Sequence, residues 1–407
     1  MSTKLIVTNY KNFKCGVKLN EGELVNIRFQ PNQDVQIGDI YKVKITEILP
    51  NDSGAFVNYG SGDQRGFFKR INLPNGDKAH EGQTLLLQVR SIGSKDKVHL
   101  FTNNIILTGK FINLLPYGDE IILSRRTRKN LDTNQQDKIM DALSDSEVGL
   151  IARHNLTPEN IEIAQSELNT LNQQWKEIEL NAKELNEEGL VFQNTYFDQN
   201  FVCDYSDKNT DQIIFSDNDR FEKVKKWDEN LDSSFANMCE EMSPEQIEEQ
   251  FNFGEKIDYL IGHNYSLPSG GNIMIGKTDA LTAIDVNTGT AKRFDTNREA
   301  IQLIAKLIKL KNISGKVVID PVASDQNTLR KLVGMLKNEF RDDLSITNVY
   351  GYTRGGLLEL SRSRNDRSID EFEYHVNMAR WMGFGKSFQD GCKINVHISG
   401  RQGPAGI

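Results

Sequence analysis

Two apolar runs, each carrying an aspartate at its end and separated by a stretch of helical period, constrain the fold of this 407-residue chain more than any other feature. Ala280 to Val286 reads ALTAIDV and carries Asp285, while Lys316 to Asp320 reads KVVID. Short apolar runs of this kind are buried-type strands, and the three- and four-residue apolar spacing from about 296 to 311 predicts a helix between them. A second helix is predicted from about 325 to 340, and a strand-like NIMIG follows Leu267-Pro268-Ser269-Gly270-Gly271. Strands alternating with helices predict a layered α/β domain. Strands of one sheet bring their carboxyl ends to a common edge, which would unite Asp285 with Asp320.

The chemistry of such a pair follows from its oxygens. Hard cations such as Mg²⁺ keep several waters and are commonly held by one or two carboxylates plus substrate phosphate oxygens. Asn287 lies two residues beyond Asp285, so in extended backbone it shares that face and offers an amide to a carboxylate or a phosphate. A metal held there would acidify water and neutralise phosphate charge during in-line attack, which is phosphodiester hydrolysis. A strand-terminal aspartate also caps turns and helices, so the pair by itself leaves a purely structural role open.

Upstream, the period changes twice. From Gln36 to about Leu107, five short segments alternate hydrophobic and polar residues (YKVKITEIL, GAFVNYG, RGFFKRI, TLLLQVRSI and VHLFTNNIIL) and predict a small antiparallel barrel. KFINLLP and DEIILS then lead to the basic run Ser124 to Lys129, the densest positive cluster of the chain. Residues 134 to 147 and 157 to 188 have helical spacing among many charges and are expected to face solvent, the second starting at Thr157-Pro158. The acidic segment 189 to 256 mixes strand and helix patterns and reads as a supporting α/β unit.

Composition sets limits on function. The net charge of −8 does not point to nucleic acid, so local clusters of Lys and Arg must decide. The four cysteines, Cys15, Cys203, Cys239 and Cys392, form no CxxC pair and encode neither a disulfide framework nor a compact zinc site. No run approaches the roughly 18 apolar residues of a membrane span, and there is no signal-peptide start, so a soluble cytoplasmic protein is expected.

The string LPSGG at 267 to 271, TDALTAIDVNTG at 278 to 289, VVID at 317 to 320 and TRGGLLELSR at 353 to 362 resembles, in order and spacing, the catalytic core of the ribonuclease E/G family. The resemblance implies a metal-dependent endoribonuclease that cuts single-stranded RNA in rRNA or mRNA processing or decay, leaving 5′-phosphate and 3′-hydroxyl ends. It puts catalysis on Asp285, Asn287 and Asp320, with Mg²⁺, or Mn²⁺ in its place, on the two aspartates. It also implies an α+β multidomain fold: residues 1–35 and 201–265 as an RNase H-like unit, 36–107 as an S1-type OB-fold barrel, 108–200 as a 5′ sensor-like domain with helices, and 266–407 as a DNase I-like layered α/β catalytic domain.

The same resemblance marks RNA contacts. Phe56 and Phe67 match aromatic positions on which bases stack, Lys97 matches a basic companion, and Arg125 and Arg126 lie in the basic run. GLIARHN at 149 to 155 aligns with the family's monophosphate-sensing segment, keeping Arg153 and putting His154 in place of a threonine. Arg354 is the arginine near the active centre expected to approach phosphate; Arg362 and Arg364 are weaker candidates.

Departures are informative. Ala323 stands where a second aspartate usually follows VID, and no CPxC zinc-link occurs, so no zinc is expected and an oligomer, if formed, is not zinc-linked. These departures keep a second reading in view, a non-catalytic RNA-binding scaffold with a degenerate nuclease domain. Action on DNA is a third, since a layered fold does not fix the substrate.

Overall fold

The computed structural model describes residues 2–370 other than 12, 32–34, 63, 70–72, 74–75, 94–97, 207–208, 230–235, 279, 291, 323, 342, 344 and 365–367. Lys97, Ala323 and Cys392 therefore lie outside the described residues. The chain is α+β and divides into two compact units, Met1–Ile257 and Asp258–Ile407. Among the described residues no helix is long and apolar enough to cross a membrane.

In the first unit, strands Ile40–Ile48, Ala55–Asn58, Arg65–Phe68, Thr84–Ser91 and His99–Thr102 form a closed barrel. Closure comes from Ile40–Ile48, which pairs with Ala55–Asn58 along its second half and with Thr84–Ser91 along its first. Alternate residues point inward, and Val43, Ile45, Val57, Phe68, Leu87, Val89 and Phe101 fill the interior. The expectation of a purely antiparallel barrel is corrected at one seam, where Arg65–Phe68 runs parallel to His99–Thr102. Five strands closing on themselves cannot alternate direction all the way round, so one pair must be parallel.

Strands Thr3–Tyr10, Phe13–Asn20 and Glu23–Pro31 form an antiparallel meander, which Thr210–Phe215 and Cys239–Glu241 extend in parallel into a five-stranded sheet. Leu5, Val7, Ile213 and Phe215 of this sheet share a core with Phe201, Val202 and Tyr205 of the helix Phe197–Tyr205. A four-stranded sheet, ordered Ile121–Leu123, Gly149–Ala152, Ile112–Leu115, Leu107–Thr108, packs against the long helix Ile161–Glu184. That helix does not simply face solvent, because Ala164, Glu167, Leu171, Trp175, Ile178 and Ala182 recur at helical spacing and are buried. The Glu167 carboxylate accepts the backbone N–H groups of Lys110 (2.5 Å), Phe111 (2.8 Å) and Ile112 (3.0 Å), which satisfies three donors where the chain turns between strands. The basic run is likewise ordered as the helix Arg125–Asn130, with the Ser124 hydroxyl capping it from Thr127 N–H.

Among the described residues the second unit contains a six-stranded sheet, ordered Asn264–Ser266, Asn272–Lys277, Thr282–Asn287, Gly315–Asp320, Leu358–Arg362, Thr347–Tyr352. Among the described strands its one parallel pairing joins Thr282–Asn287 to Gly315–Asp320, and the helix Arg293–Leu310 is the crossover that this pairing requires. Ile273, Ile275, Ile284, Val286, Val317, Ile319, Leu358 and Leu360 line the buried face, while Ala300, Ile301, Ile304, Leu329, Leu332 and Leu336 are among the buried residues of Arg293–Leu310 and Gln326–Glu339. At the end of the crossover helix, fully buried Lys311 donates from Nζ to the carbonyls of Leu260 (3.0 Å) and Gly262 (2.9 Å) and lies 2.9 Å from Asp370 Oδ1. Those partners satisfy an ammonium that burial would otherwise penalise.

Candidate active site and nucleic-acid interface

The crossover puts Asp285 and Asp320 side by side. The two are register partners on adjacent parallel strands, whose backbones run about 4.8 Å apart. Residues on either side of Asp285, Ile284 and Val286, point into the core, so Asp285 and Asn287 both stand on the exposed face, as does Asp320. Asn287 Nδ2 donates to Asp285 Oδ2 at 2.9 Å and orients that carboxylate. Among the described residues no group of three or more His, Cys, Asp or Glu side chains gathers in a way that could hold a metal ion.

Backbone packing keeps the end of the first strand in place. The LPSGG segment turns, with Gly270 N–H donating to the Leu267 carbonyl at 2.9 Å, and seats Gly271 against Asn287. A Cβ on Gly271 would stand 2.3 Å from the Asn287 carbonyl oxygen, and one on Gly289 would stand 2.3 Å from the Gly270 carbonyl carbon. Glycine at these two positions lets two backbones touch. The chain leaving Asp320 is held differently: Asn297, almost wholly buried in the crossover helix, accepts Val322 N–H (2.9 Å) and donates to Val322 O (3.0 Å) and Ser324 Oγ (2.9 Å). Sequence reasoning missed Asn297; a lone asparagine amid the apolar stripe of a helix was the available signal.

Arg354 is exposed in the turn from Tyr352 to Leu358, which Thr353 closes by accepting Leu357 N–H at its hydroxyl (3.1 Å). Ile319 pairs with Leu358, so this turn lies at the same sheet edge as Asp320. Arg362 is instead a core residue, gripping Asp343 through Nε (2.7 Å) and Nη2 (3.1 Å) and bonding to Asn312 Oδ1 and the Ile313 carbonyl. Burial acts to raise the Asp343 carboxyl, but the Arg362 guanidinium and the Thr347 hydroxyl outweigh it and hold the group below its ordinary range.

On the barrel, Phe56 and Phe67 are cross-strand partners on the outer face, with ring centroids 5.5 Å apart in an edge-to-face arrangement. Arg65, which the sequence reading passed over, lays its guanidinium 3.7 Å from the Phe56 centroid and pairs with Glu47 at 2.6 Å. The result is a cation-capped aromatic patch of the kind that stacks on bases.

The remaining candidates divide. Arg125 is exposed on its short helix, whereas Arg126 donates from Nη1 to the Asp204 carbonyl at 2.8 Å. Arg153 is buried, its Nη2 on Asp204 Oδ1 (2.6 Å) and its Nη1 on Asn113 Oδ1 (3.1 Å). His154 follows it inward; burial, then the charges of Arg126 and Arg153, lower its imidazole from 6.5 to about 4.

The family model described as the ribonuclease E/G family matches residues 106–365. The chain is 28% identical over 363 residues to ribonuclease E of Nostoc sp., covering 83% of this chain and 52% of that protein. It is 27% identical over 377 residues to ribonuclease E of Escherichia coli, covering 85% and 35%, and 23% identical over 363 residues to ribonuclease G of Salmonella typhimurium, covering 82% and 74%. It thus spans about half or less of the length of these two ribonucleases E. A match over that much of the chain, including the Asp285 and Asp320 strands and the motifs around them, means that this protein belongs to the ribonuclease E/G family.

Proposed function

We propose that the chain is a metal-dependent endoribonuclease that hydrolyses single-stranded RNA in the cytoplasm, in rRNA or mRNA processing or decay, leaving 5′-phosphate and 3′-hydroxyl ends. The observation that carries this reading is the register pairing of Asp285 with Asp320 on an exposed sheet face, with Asn287 bonded to the first carboxylate. The names of its relatives, ribonucleases E and G, supply the activity class.

The donor set fits a hard divalent cation: two adjacent carboxylates in reach of solvent leave room for the waters and phosphate oxygens that Mg²⁺ or Mn²⁺ retains. When bound, the ion supplies charge neutralisation at the scissile phosphate. Asp285 and Asp320 hold it. Asn287 spends one amide hydrogen on Asp285 and keeps the other for a phosphate oxygen, and Arg354 adds positive charge at the same edge. Phe56 and Phe67, with Arg65, stack bases of the RNA, and exposed Arg125 contacts its backbone.

The domain reading follows the same lines. Barrel closure with five strands supports an S1-type OB fold, and the sheet shared by the N-terminal meander and Thr210–Phe215 supports one RNase H-like unit built from both ends of the first unit. The sheet and long helix of 108–200 are sensor-like, and the second unit is DNase I-like.

The test is cleavage of a fluorogenic single-stranded oligoribonucleotide with Mg²⁺ or Mn²⁺, alongside a binding assay and a DNA oligomer of the same sequence. Cutting of the RNA alone, abolished in Asp285→Asn and Asp320→Asn proteins that still bind it, is expected. Binding without cutting by the unaltered chain would make it an RNA-binding scaffold instead.

A further inference from the structure

The exposed face that carries Asp285 and Asp320 also carries a methionine and an amide pair for which the proposed chemistry has no use. Asn264, Met274, Asp285 and Asp320 are successive register partners across adjacent strands, so they form one row, each about 4.8 Å from the next along the backbone. Ile273 and Ile275 are buried, which turns Met274 outward with 53% of its surface exposed. A lone exposed apolar side chain is ordinary on a protein surface. What sets this one apart is its surroundings.

Two residues back on the same strand and face, Asn272 donates from Nδ2 to Asn264 Oδ1 at 3.0 Å. That bond uses one oxygen and one hydrogen, so the Asn264 amino group and the Asn272 carbonyl oxygen remain as an adjacent donor and acceptor, with no other partner among the described residues. Two residues on, Gly276 has open space above it: a Cβ there would meet only the Ala283 carbonyl oxygen, at 3.9 Å. Ala283, its register partner, adds no more than a methyl group to this part of the face. Met274 therefore stands between an amide pair on one side and a shallow shelf on the other, with Asp285 directly across.

A nucleic-acid base is an aromatic plate with donors and acceptors on its rim, joined through one sugar to the phosphate beside it. We propose that Met274 and the Asn264–Asn272 amides form the subsite for the base of a nucleotide flanking the scissile phosphate. The ring lies on the polarisable Met274 sulfur with its rim at the amides, and the sugar crosses the shelf of Gly276 and Ala283 toward Asp285 and Asp320. Each of the four bases has a donor beside an acceptor on its Watson–Crick edge, so the subsite asks for a base rather than for a particular one. The inference rests on the reading of Asp285 and Asp320 as the metal pair.

The test is a cycle of protein and RNA variants. Single-turnover cleavage of one oligoribonucleotide, at subsaturating protein in Mg²⁺, is compared with two forms in which the nucleotide on the 5′ or the 3′ side of the cleaved bond lacks its base. The unaltered chain should cut one of the two abasic RNAs about tenfold more slowly, the worth of a ring on sulfur together with a hydrogen bond. On the complete RNA, Met274→Ala should be slowed about fivefold and Asn264→Ala about threefold, whereas on that abasic RNA both should match the unaltered chain within about twofold. Met274→Leu, which keeps the bulk, should retain most of the rate. Losses of equal size on complete and abasic RNAs would overturn the subsite, because an effect carried through the fold or the metal does not depend on the base; so would an unaltered chain indifferent to both abasic positions. If the unaltered chain cuts no RNA, the nuclease reading fails, and ultraviolet cross-linking in EDTA of a single-stranded RNA bearing 4-thiouridine decides the base contact. Attachment to the peptide that holds Met274 would keep it, and none there would remove it.

Discussion

The acidic pair on the sheet of the second unit and the arginine cluster of the first are built on opposite plans. Asp285 accepts the Asn287 amide, and both it and Asp320 stand on an exposed face. Around Asp204, where Arg28, Arg126 and Arg153 meet, each recorded charge is already matched, by a carboxylate, an amide or a helix carbonyl. Both regions stand out in the sequence as charged residues in a recognisable setting. What separates an open pair of charges from a charge cluster that closes on itself is whether the chain has supplied the counter-charge.

That contrast predicts where each substitution registers. The largest effect is expected at the open pair: Asp285→Asn or Asp320→Asn should cut the single-turnover cleavage rate by about a thousandfold or more, the several kcal/mol that metal charge stabilisation provides. Urea unfolding of the same variants should move by less than about 0.5 kcal/mol, as for exposed positions generally. The closed cluster should behave the other way round. Arg153→Ala leaves Asp204 short of a partner and should lower unfolding free energy by about 2 kcal/mol, less than for a fully buried pair because Asp204 is about a third exposed. Its cleavage of a 5′-hydroxyl RNA should change little, and a large loss of rate without loss of stability would erase the distinction.

The barrel patch lies between the two plans, since Arg65 half-occupies it. Phe56→Ala should weaken single-stranded RNA binding by about 1 to 3 kcal/mol in an anisotropy titration, the worth of one stacked base. The acid response of His154 is read on a separate axis, pH. Its imidazole protonates near 6.5 when unfolded and near 4 when folded, so the unfolded chain binds the proton more readily. The stability it protects is full above about 6.5, declines as pH falls through that window and is gone below about 4. His154→Gln should flatten this part of the stability profile measured by thermal melts, and an unaltered slope between those values would show that the ring is not buried neutral.

Much of this was legible in the text of the chain, and the limits have physical causes. The strands of the barrel and of the second unit show in their period-two alternation or their apolar runs, and the crossover between Asp285 and Asp320 shows in the helical spacing between them. Register does not: alternation says that Phe56 and Arg65 are outward, but only the pairing of Asn58 with Arg65 lets that guanidinium lie on the Phe56 ring. Long-range charge pairing was equally hidden. Arg153 and Asp204 are 51 residues apart, and the helix FDQNFVCDY gives no sign that its end is where three arginines meet. The helical form of the basic run went unread because its charges mask a serine cap, and the long helix Ile161–Glu184 read as solvent-facing because its charges outnumber the six positions that turn inward.

The claim on which the account turns is that Asp285 and Asp320 hold one divalent ion together. Mn²⁺ binding followed by electron paramagnetic resonance, with a single-stranded oligodeoxyribonucleotide present to supply uncut phosphates, tests it without relying on turnover. The account predicts one bound Mn²⁺ per chain, lost in Asp285→Asn and lost equally in Asp320→Asn. An ion retained at full occupancy when either carboxylate is removed would contradict it.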